Sequence, residues 1–312
     1  MNASNRLQWI AKSPSTMTAP PKVSFGKGIE PRNLRLCDHG AAHVSLAGDW
    51  AALAQGLHGL GQVVASTLND AAILTQRGRF PEFEFCPGGR FAVNGLGGLG
   101  FDFAEWRRVW ATRRPTAKGV CQSLAIVGHD NSAAHQVLLL DDSIDETFPD
   151  FARRHQGEPP RVRACWPARG EGICCGYHER FRCRKWERVE SSESGSRRLA
   201  GACLPRLFEA VLAARLRLTT TIVSAPVIQS ALWTPVAIER TERRVTVTAE
   251  ETQLRLQLGA VAEVWSVPPP DGVDAALALE LYDAQDRLLL GFSVTLEHVD
   301  AWSALIASLP SA

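Results

Sequence analysis

The sequence predicts an α+β fold made by tandem duplication, each half a large antiparallel sheet with flanking helices. The first observation behind this is internal repetition. Arg113-Arg114-Pro115-Thr116-Ala117-Lys118-Gly119-Val120, followed by Leu124 and Asp130, lines up with Pro268-Pro269-Pro270-Asp271-Gly272-Val273, followed by Leu277 and Asp283. The offset is a constant 153, as Gly119 against Gly272 and Asp130 against Asp283 show. A chain of 312 residues that repeats near half its length reads as two copies of one unit. The second is that each copy follows a Trp-bearing segment, Trp106 and Trp110 in one and Trp265 in the other, and leads into an alternating run. The third is order: a helical stretch, then short strand-like runs, in both halves.

Residues 1–27, rich in Ser, Pro, Thr and Lys, read as a disordered leader or as the product of a start codon placed too far upstream. The first repeat then spans 28–155. Its opening, residues 28–60, reads as helical, with Asp49 an N-cap for Trp50-Ala-Ala-Leu-Ala-Gln-Gly-Leu. Gln62–Leu68, Ala72–Gln76 and Phe83–Cys86 are strands, separated by Asn69-Asp70, Arg77-Gly78 and Pro87-Gly88-Gly89 turns. Gly95–Gly100 reads as a glycine-rich loop that fails the dinucleotide pattern, Phe103–Ala111 as a helix, Gln122–Val127 and His135–Leu140 as strands, and Phe148–His155 as a helix. Residues 156–200 are a basic, Cys-rich linker bracketed by Glu158-Pro-Pro and Ser191-Ser-Glu-Ser-Gly-Ser. The second repeat, 201–312, begins with the amphipathic Leu204–Leu216. It continues as strands over Thr219–Val223, Val227–Leu232, Arg244–Thr248, Gln253–Leu258, Ala278–Tyr282 and Leu288–Val294, and closes with the helix Trp302–Leu309.

Composition narrows the function. With 45% hydrophobic and 21% charged residues the chain can build two full cores. A net charge of +1 gives no electrostatic drive toward nucleic acid or anionic membrane, and no apolar run reaches the ~20 residues of a membrane helix. In a cytoplasmic protein the eight Cys are expected as reduced thiols.

Several stretches carry a resemblance: LHGLGQVVASTLNDAAILTQRGR (Leu57–Arg79), FDFAEWRRVWA (Phe101–Ala111), SLAIVGHDNSAAHQV (Ser123–Val137), TQLRLQLGAVAEVW (Thr252–Trp265) and LALELYDAQDRLL. In order and spacing they resemble the HemS/HmuS (hemin-degrading factor) family of bacterial haem-utilisation and hemin-transport proteins, over roughly residues 28–312. The resemblance implies two tandem halves with haem held between them in the cytoplasm, and a haem-uptake transporter or a haem-receiving protein as partner. It also implies an axial ligand. Tyr177-His178-Glu179-Arg180-Phe181 stands where the family places its ligand His, which makes His178 the haem-iron ligand. Nearby Arg184 and Lys185, with Arg113 and Arg114 of the first repeat, are the cations expected to hold the propionates. One imidazole leaves the opposite face of the iron open.

Two family positions are rewritten. The family's distal Arg falls on Gly100, and its basic Arg-Lys-Pro-Thr-type loop is Val267-Pro268-Pro269-Pro270 here. Binding of haem is therefore a stronger expectation than its oxygenase-type cleavage. A scaffold that kept the fold and lost the cofactor is one alternative. Another is zinc, through Cys174, Cys175, His178 and Cys183 with Cys165 upstream, but adjacent cysteines diverge on a helix, and free thiols outrank a zinc site. The other seven His read as structural or solvated, the nine Trp as core and sheet-packing residues.

Overall fold

The structure is a computed structural model, and it describes residues 42–46, 49–86, 89–94, 98–116, 119–140, 147–157, 185, 189, 195–269 and 275–312. The first half contributes β1 (Ala42–Leu46), β2 (Val63–Leu68), β3 (Ala72–Gly78), β4 (Phe83–Phe85), β5 (Phe91–Asn94), β6 (Leu99–Asp102), β7 (Trp106–Thr116), β8 (Gly119–Gly128) and β9 (Ala133–Leu139). The second contributes β10 (Arg197–Leu199), β11 (Leu218–Val223), β12 (Val227–Trp233), β13 (Ala237–Arg240), β14 (Arg244–Thr248), β15 (Thr252–Gln257), β16 (Glu263–Val267), β17 (Ala278–Tyr282) and β18 (Leu288–Val294). Among the described residues four α-helices flank them: α1 (Trp50–Gly56), α2 (Thr147–Arg154), α3 (Leu204–Ala213) and α4 (Val299–Ser308).

These strands form two nine-stranded antiparallel sheets, ordered β1-β7-β8-β9-β2-β3-β15-β14-β13 and β10-β16-β17-β18-β11-β12-β6-β5-β4. The α+β expectation holds, with one refinement. Each sheet is six strands from one half and a three-stranded meander from the other. The two orders are the same once each strand is replaced by its counterpart. Val63 pairs with Gly78 and Leu139; Leu218 pairs with Trp233 and Val294, every partner 155 residues further on. The structural spacing is thus 155, two more than the 153 read from the hairpin sequences.

Cores follow the halves, whereas hydrogen bonding crosses them. The first core gathers Trp50 and Leu53 of α1, Val109 and Ala111 of β7, Leu124 and Ile126 of β8, Phe151 of α2, and Phe83 and Phe101 from the meander lent to the second sheet. The second gathers Leu207 and Phe208 of α3, Leu279 and Leu281 of β17, Trp302 and Ile306 of α4, and Val245, Val247, Leu254 and Leu256 from the meander lent to the first. Each meander therefore closes its own core with one face while its backbone extends the other half's sheet. At the seam Ile73 faces Arg255, and 155 positions away Ile228 faces Gly100.

Local chemistry explains the elements. Asp49 does cap α1, its carboxylate accepting from the Ala51 and Ala52 amides at 2.9 and 3.2 Å. Three expectations fail. Residues 42–46 are a strand, not part of a helix over 28–60. Leu99 and Gly100 belong to β6 instead of a loop. The helix read over Phe103–Ala111 is one 3-10 turn, Phe103–Glu105, capped by Asp102, after which β7 begins. The three-residue step from Phe103 to Trp106 comes from that turn. From Val109 onward burial alternates, with Val109 and Ala111 in the core and Trp110 and Thr112 on the other face. Cys86 is disulfide-bonded, which corrects the reading of eight reduced thiols; Cys121 and Cys203 are free.

Candidate functional site

Alternation along a strand puts successive side chains on opposite faces. Val264, Leu279 and Leu281 point into the second core, so Glu263, Trp265, Glu280 and Tyr282 stand on the outer face of the second sheet. A piece of the inter-repeat segment lies on that face. Val189 is buried against Val267 and Tyr282. Lys185, four residues earlier and 5% exposed, places Nζ 2.5 Å from Glu263 Oε2 and 2.9 Å from Asp286 Oδ1. The same ammonium sits 5.9 Å from the ring centroids of both Trp265 and Tyr282, within cation–π range.

Glu263 is the hub. It also accepts from Trp265 Nε1 at 2.8 Å and pairs with Arg198 at 3.2 Å. Partial burial works against its charge, but the hydrogen bonds from Lys185 and Trp265 and the Lys185 and Arg198 charges hold its carboxyl below the usual range. Beside it Glu280, 2% exposed, accepts from the Tyr282 hydroxyl at 2.5 Å.

Past this charged edge the face becomes small and open. Gly291 of β18 pairs with Glu280 on one side and Thr221 on the other, and a Cβ there would meet nothing within 4 Å. Thr221 and Ser230 share a hydroxyl hydrogen bond of 2.7 Å. A glycine beside two hydroxyl side chains, with aromatic and cationic groups nearby, has the chemistry to receive a flat macrocycle.

The first sheet carries no glycine at the position equivalent to Gly291. At positions 155 residues earlier it carries Arg108 for Glu263, Trp110 for Trp265, Ala125 for Glu280, Val127 for Tyr282, Asn131 for Asp286 and Gln136 for Gly291. Arg108 covers Trp110 at 5.9 Å, and Ser66–Thr75 repeats the hydroxyl pair at 3.0 Å. Repetition of the scaffold with rewriting of the face marks the second sheet as the specialised one.

Of the site residues read from sequence, Lys185 lies on this face, but its ammonium is directed at two protein carboxylates, not held out as a clamp for an external anion. Arg113 and Arg114 are exposed on β7 of the other sheet, opposite Gln122 and Cys121. Gly100 is buried in β6 between Val93 and Ile228, and its φ is not positive. His178, Arg184, Cys165, Cys174, Cys175 and Cys183 lie outside the described residues. Among the described residues no cluster of three His, Cys, Asp or Glu could hold a metal, and no helix is long and apolar enough to cross a membrane. Sequence reading missed Glu263, Glu280, Tyr282, Asp286 and Gly291. The available signal was a carboxylate followed two residues on by an aromatic on the same strand face, Glu263 with Trp265 and Glu280 with Tyr282.

Comparisons bear on this geometry. Residues 44–153 match the family described as "Haem utilisation ChuX/HutX". Among solved structures, holo-PhuS, a heme-binding protein from Pseudomonas aeruginosa, superimposes with a TM-score of 0.72 at 20% identity, covering 86% of this chain and 87% of that one. ChuS, an E. coli heme oxygenase, gives a TM-score of 0.68 at 15% identity over 86% and 88%. A comparison with curated proteins finds no match. The chain thus matches the ChuX/HutX haem-utilisation family over most of its first repeat and has, across both repeats, the two-sheet fold of PhuS and ChuS.

Proposed function

We propose that this chain is a cytoplasmic haem-binding protein of bacterial haem and iron utilisation, carrying haem on the outer face of its second sheet. The observation that carries the reading is the docking of Lys185 and Val189 on that face, beside the open floor at Gly291. Lys185, seven residues after His178, the axial ligand we propose, stands at the rim of the surface beside Gly291. Arg184 belongs to the same segment and is assigned the propionate contact; Arg113 and Arg114, on the other sheet, are weaker candidates. Bound haem would supply an iron centre that takes one imidazole and keeps its opposite side free. Trp265 and Tyr282 would exclude water from the rim, and Lys185 with Arg198 would offset the carboxylates that line it.

The reading favours carriage over cleavage. Gly100 presents no side chain where the HemS/HmuS pattern places a distal Arg. Carriage requires a donor and a recipient, a haem-uptake transporter on one side and a haem-receiving protein on the other. Titration of the full chain with hemin tests the proposal. The expected result is a saturable, red-shifted Soret band at one hemin per chain. It should persist under ascorbate and air with catalase present. Absence of a Soret shift would instead support a cofactor-free scaffold, and rapid bleaching to an open-chain tetrapyrrole would support an enzyme.

A further inference from the structure

We propose that a cavity at the start of α3, between Arg206 and Arg240, is a binding site for a small organic carboxylate. It lies in the second half and is independent of the haem reading. The cavity holds about 340 Å³ and is lined by Ala202, Cys203, Pro205, Arg206, Arg240 and Pro310. That volume falls within the range of small-ligand sites. Three parts of the chain meet there: the 3-10 turn Gly201–Cys203 leading into α3, the edge strand β13, and the residues just after α4. The walls are fixed by protein bonds. Arg197 donates to the carbonyls of Ile306 and Leu309 at 2.6 and 3.0 Å and to Ser311 Oγ at 3.1 Å. The Ala200 amide donates to Pro310 O at 3.0 Å, which pins Pro310 beside the turn that carries Ala202 and Cys203.

Charge decides the class of ligand. Among the described residues Arg206 has no hydrogen-bond or ion-pair partner. Arg240 has one acid near it, Glu209 at 3.8 Å, beyond hydrogen-bond length and with both side chains more than half exposed. Such a pair contributes little, so the guanidinium can turn to a ligand at small cost. No acid stands in the first turn of α3. Two forked donors on one cavity match the oxygens of a carboxylate. The rest of the lining is neutral. Ala202, Pro205 and Pro310 are apolar, and Cys203 is 2% exposed, with burial pushing its thiol up so that it stays protonated. An inorganic anion would leave the apolar walls uncovered. An organic acid covers them with its body and meets the cations with one end.

Fluorine NMR of para-fluorobenzoate, titrated with the full-length protein, tests the site. The native protein should broaden and shift the signal saturably. Arg206→Ala and Arg240→Ala should each weaken binding by about fivefold or more. Ala202→Phe, which places a ring in the cavity without touching its charge, should abolish binding. Arg153→Ala, whose guanidinium pairs with Asp150 on α2, should leave it unchanged. All four positions are exposed, so these variants should fold. Inorganic phosphate at the same concentration should fail to displace the probe. Absence of saturable binding to the native protein, or an equal loss in Arg153→Ala, would overturn the site. Displacement by phosphate, or full binding by Ala202→Phe, would overturn the assignment to an organic carboxylate.

Discussion

The side-chain amide of Asn69 donates to the backbone carbonyl of Leu289 at 2.8 Å, across 220 residues of chain. The same amide donates to Val223 O at 3.0 Å, and its Oδ1 accepts from the Ala71 and Ala72 amides at 3.0 and 2.9 Å. One side chain thus closes the β2–β3 turn and joins it to the end of β11 and the start of β18. Asn69→Ala leaves these groups without that partner, and we expect a loss of about 2–4 kcal/mol, read as a lower urea midpoint. Asn69→Asp keeps the turn bonds, loses the two donated ones and faces carbonyls with a carboxylate. It should be at least as damaging.

His135 is fully buried, with Nδ1 2.7 Å from Thr67 Oγ1 and Nε2 without a hydrogen-bond partner. Burial lowers its pKa from 6.5 to about 3. The unfolded chain therefore takes up a proton near pH 6.5 that the folded chain refuses. The stability due to neutral His135 is complete above that pH and falls as the pH drops toward 3, by roughly 2 kcal/mol at pH 5. Chemical denaturation between pH 7.5 and 5 should show that slope, and His135→Asn, which can still bond Thr67, should flatten it.

Strand exchange makes a prediction about half the molecule. A fragment of residues 42–157 would expose the edges of β3 and β6, both paired to the other half in the whole chain. Two such fragments can satisfy each other in the register already present, Ile73 of one copy facing Gly100 of the other, as Ile228 faces Gly100 now. We expect a dimer by analytical ultracentrifugation. A stable folded monomer would contradict the pairing argument.

Gly100 and Arg255 occupy equivalent places beside the seam, so an arginine is already accommodated at this backbone register in the first sheet. Arg255 is half-buried and donates from Nε to Gln253 at 2.8 Å. Gly100→Arg should fold and lose less than about 2 kcal/mol, checked by thermal melting. In the hemin complex it should shorten the lifetime of the Soret band under ascorbate and air.

His178→Ala should weaken hemin binding by about tenfold or more and displace the Soret maximum, in titrations run beside the native chain. An unchanged band would move the ligand elsewhere.

Much of this was legible from residues. The period-2 runs marked strands such as Arg244–Thr248 and Ala278–Tyr282 with their bounds, because Val or Leu recurs at every second residue there without glycine or proline. Asp49 announced α1. What failed has physical causes. Phe103, Trp106 and Trp110 are spaced as a helix would space them, yet Phe103 and Trp106 join Phe101 in one aromatic cluster, with Trp106 5.0 Å from both Phe rings. The exchange of meanders leaves no mark in any one strand, because Val245 and Leu254 look the same whichever sheet their backbones extend. At the site, Lys185 was visible as a cation but its partners were not. Glu263 and Asp286 are ordinary surface letters until the fold lays a segment over them.

The crossed meanders also mean that the peptide bonds between the halves are not what holds the molecule together. A protease that nicks the chain between Gly157 and Arg197 severs one backbone but none of the pairings of β3 with β15 or β12 with β6. The two pieces would stay clasped, migrating as one species in native gels and as two in detergent. Turnover of this protein in a cell would then have to begin by prising open a sheet, since clipping the connection alone leaves both cores intact.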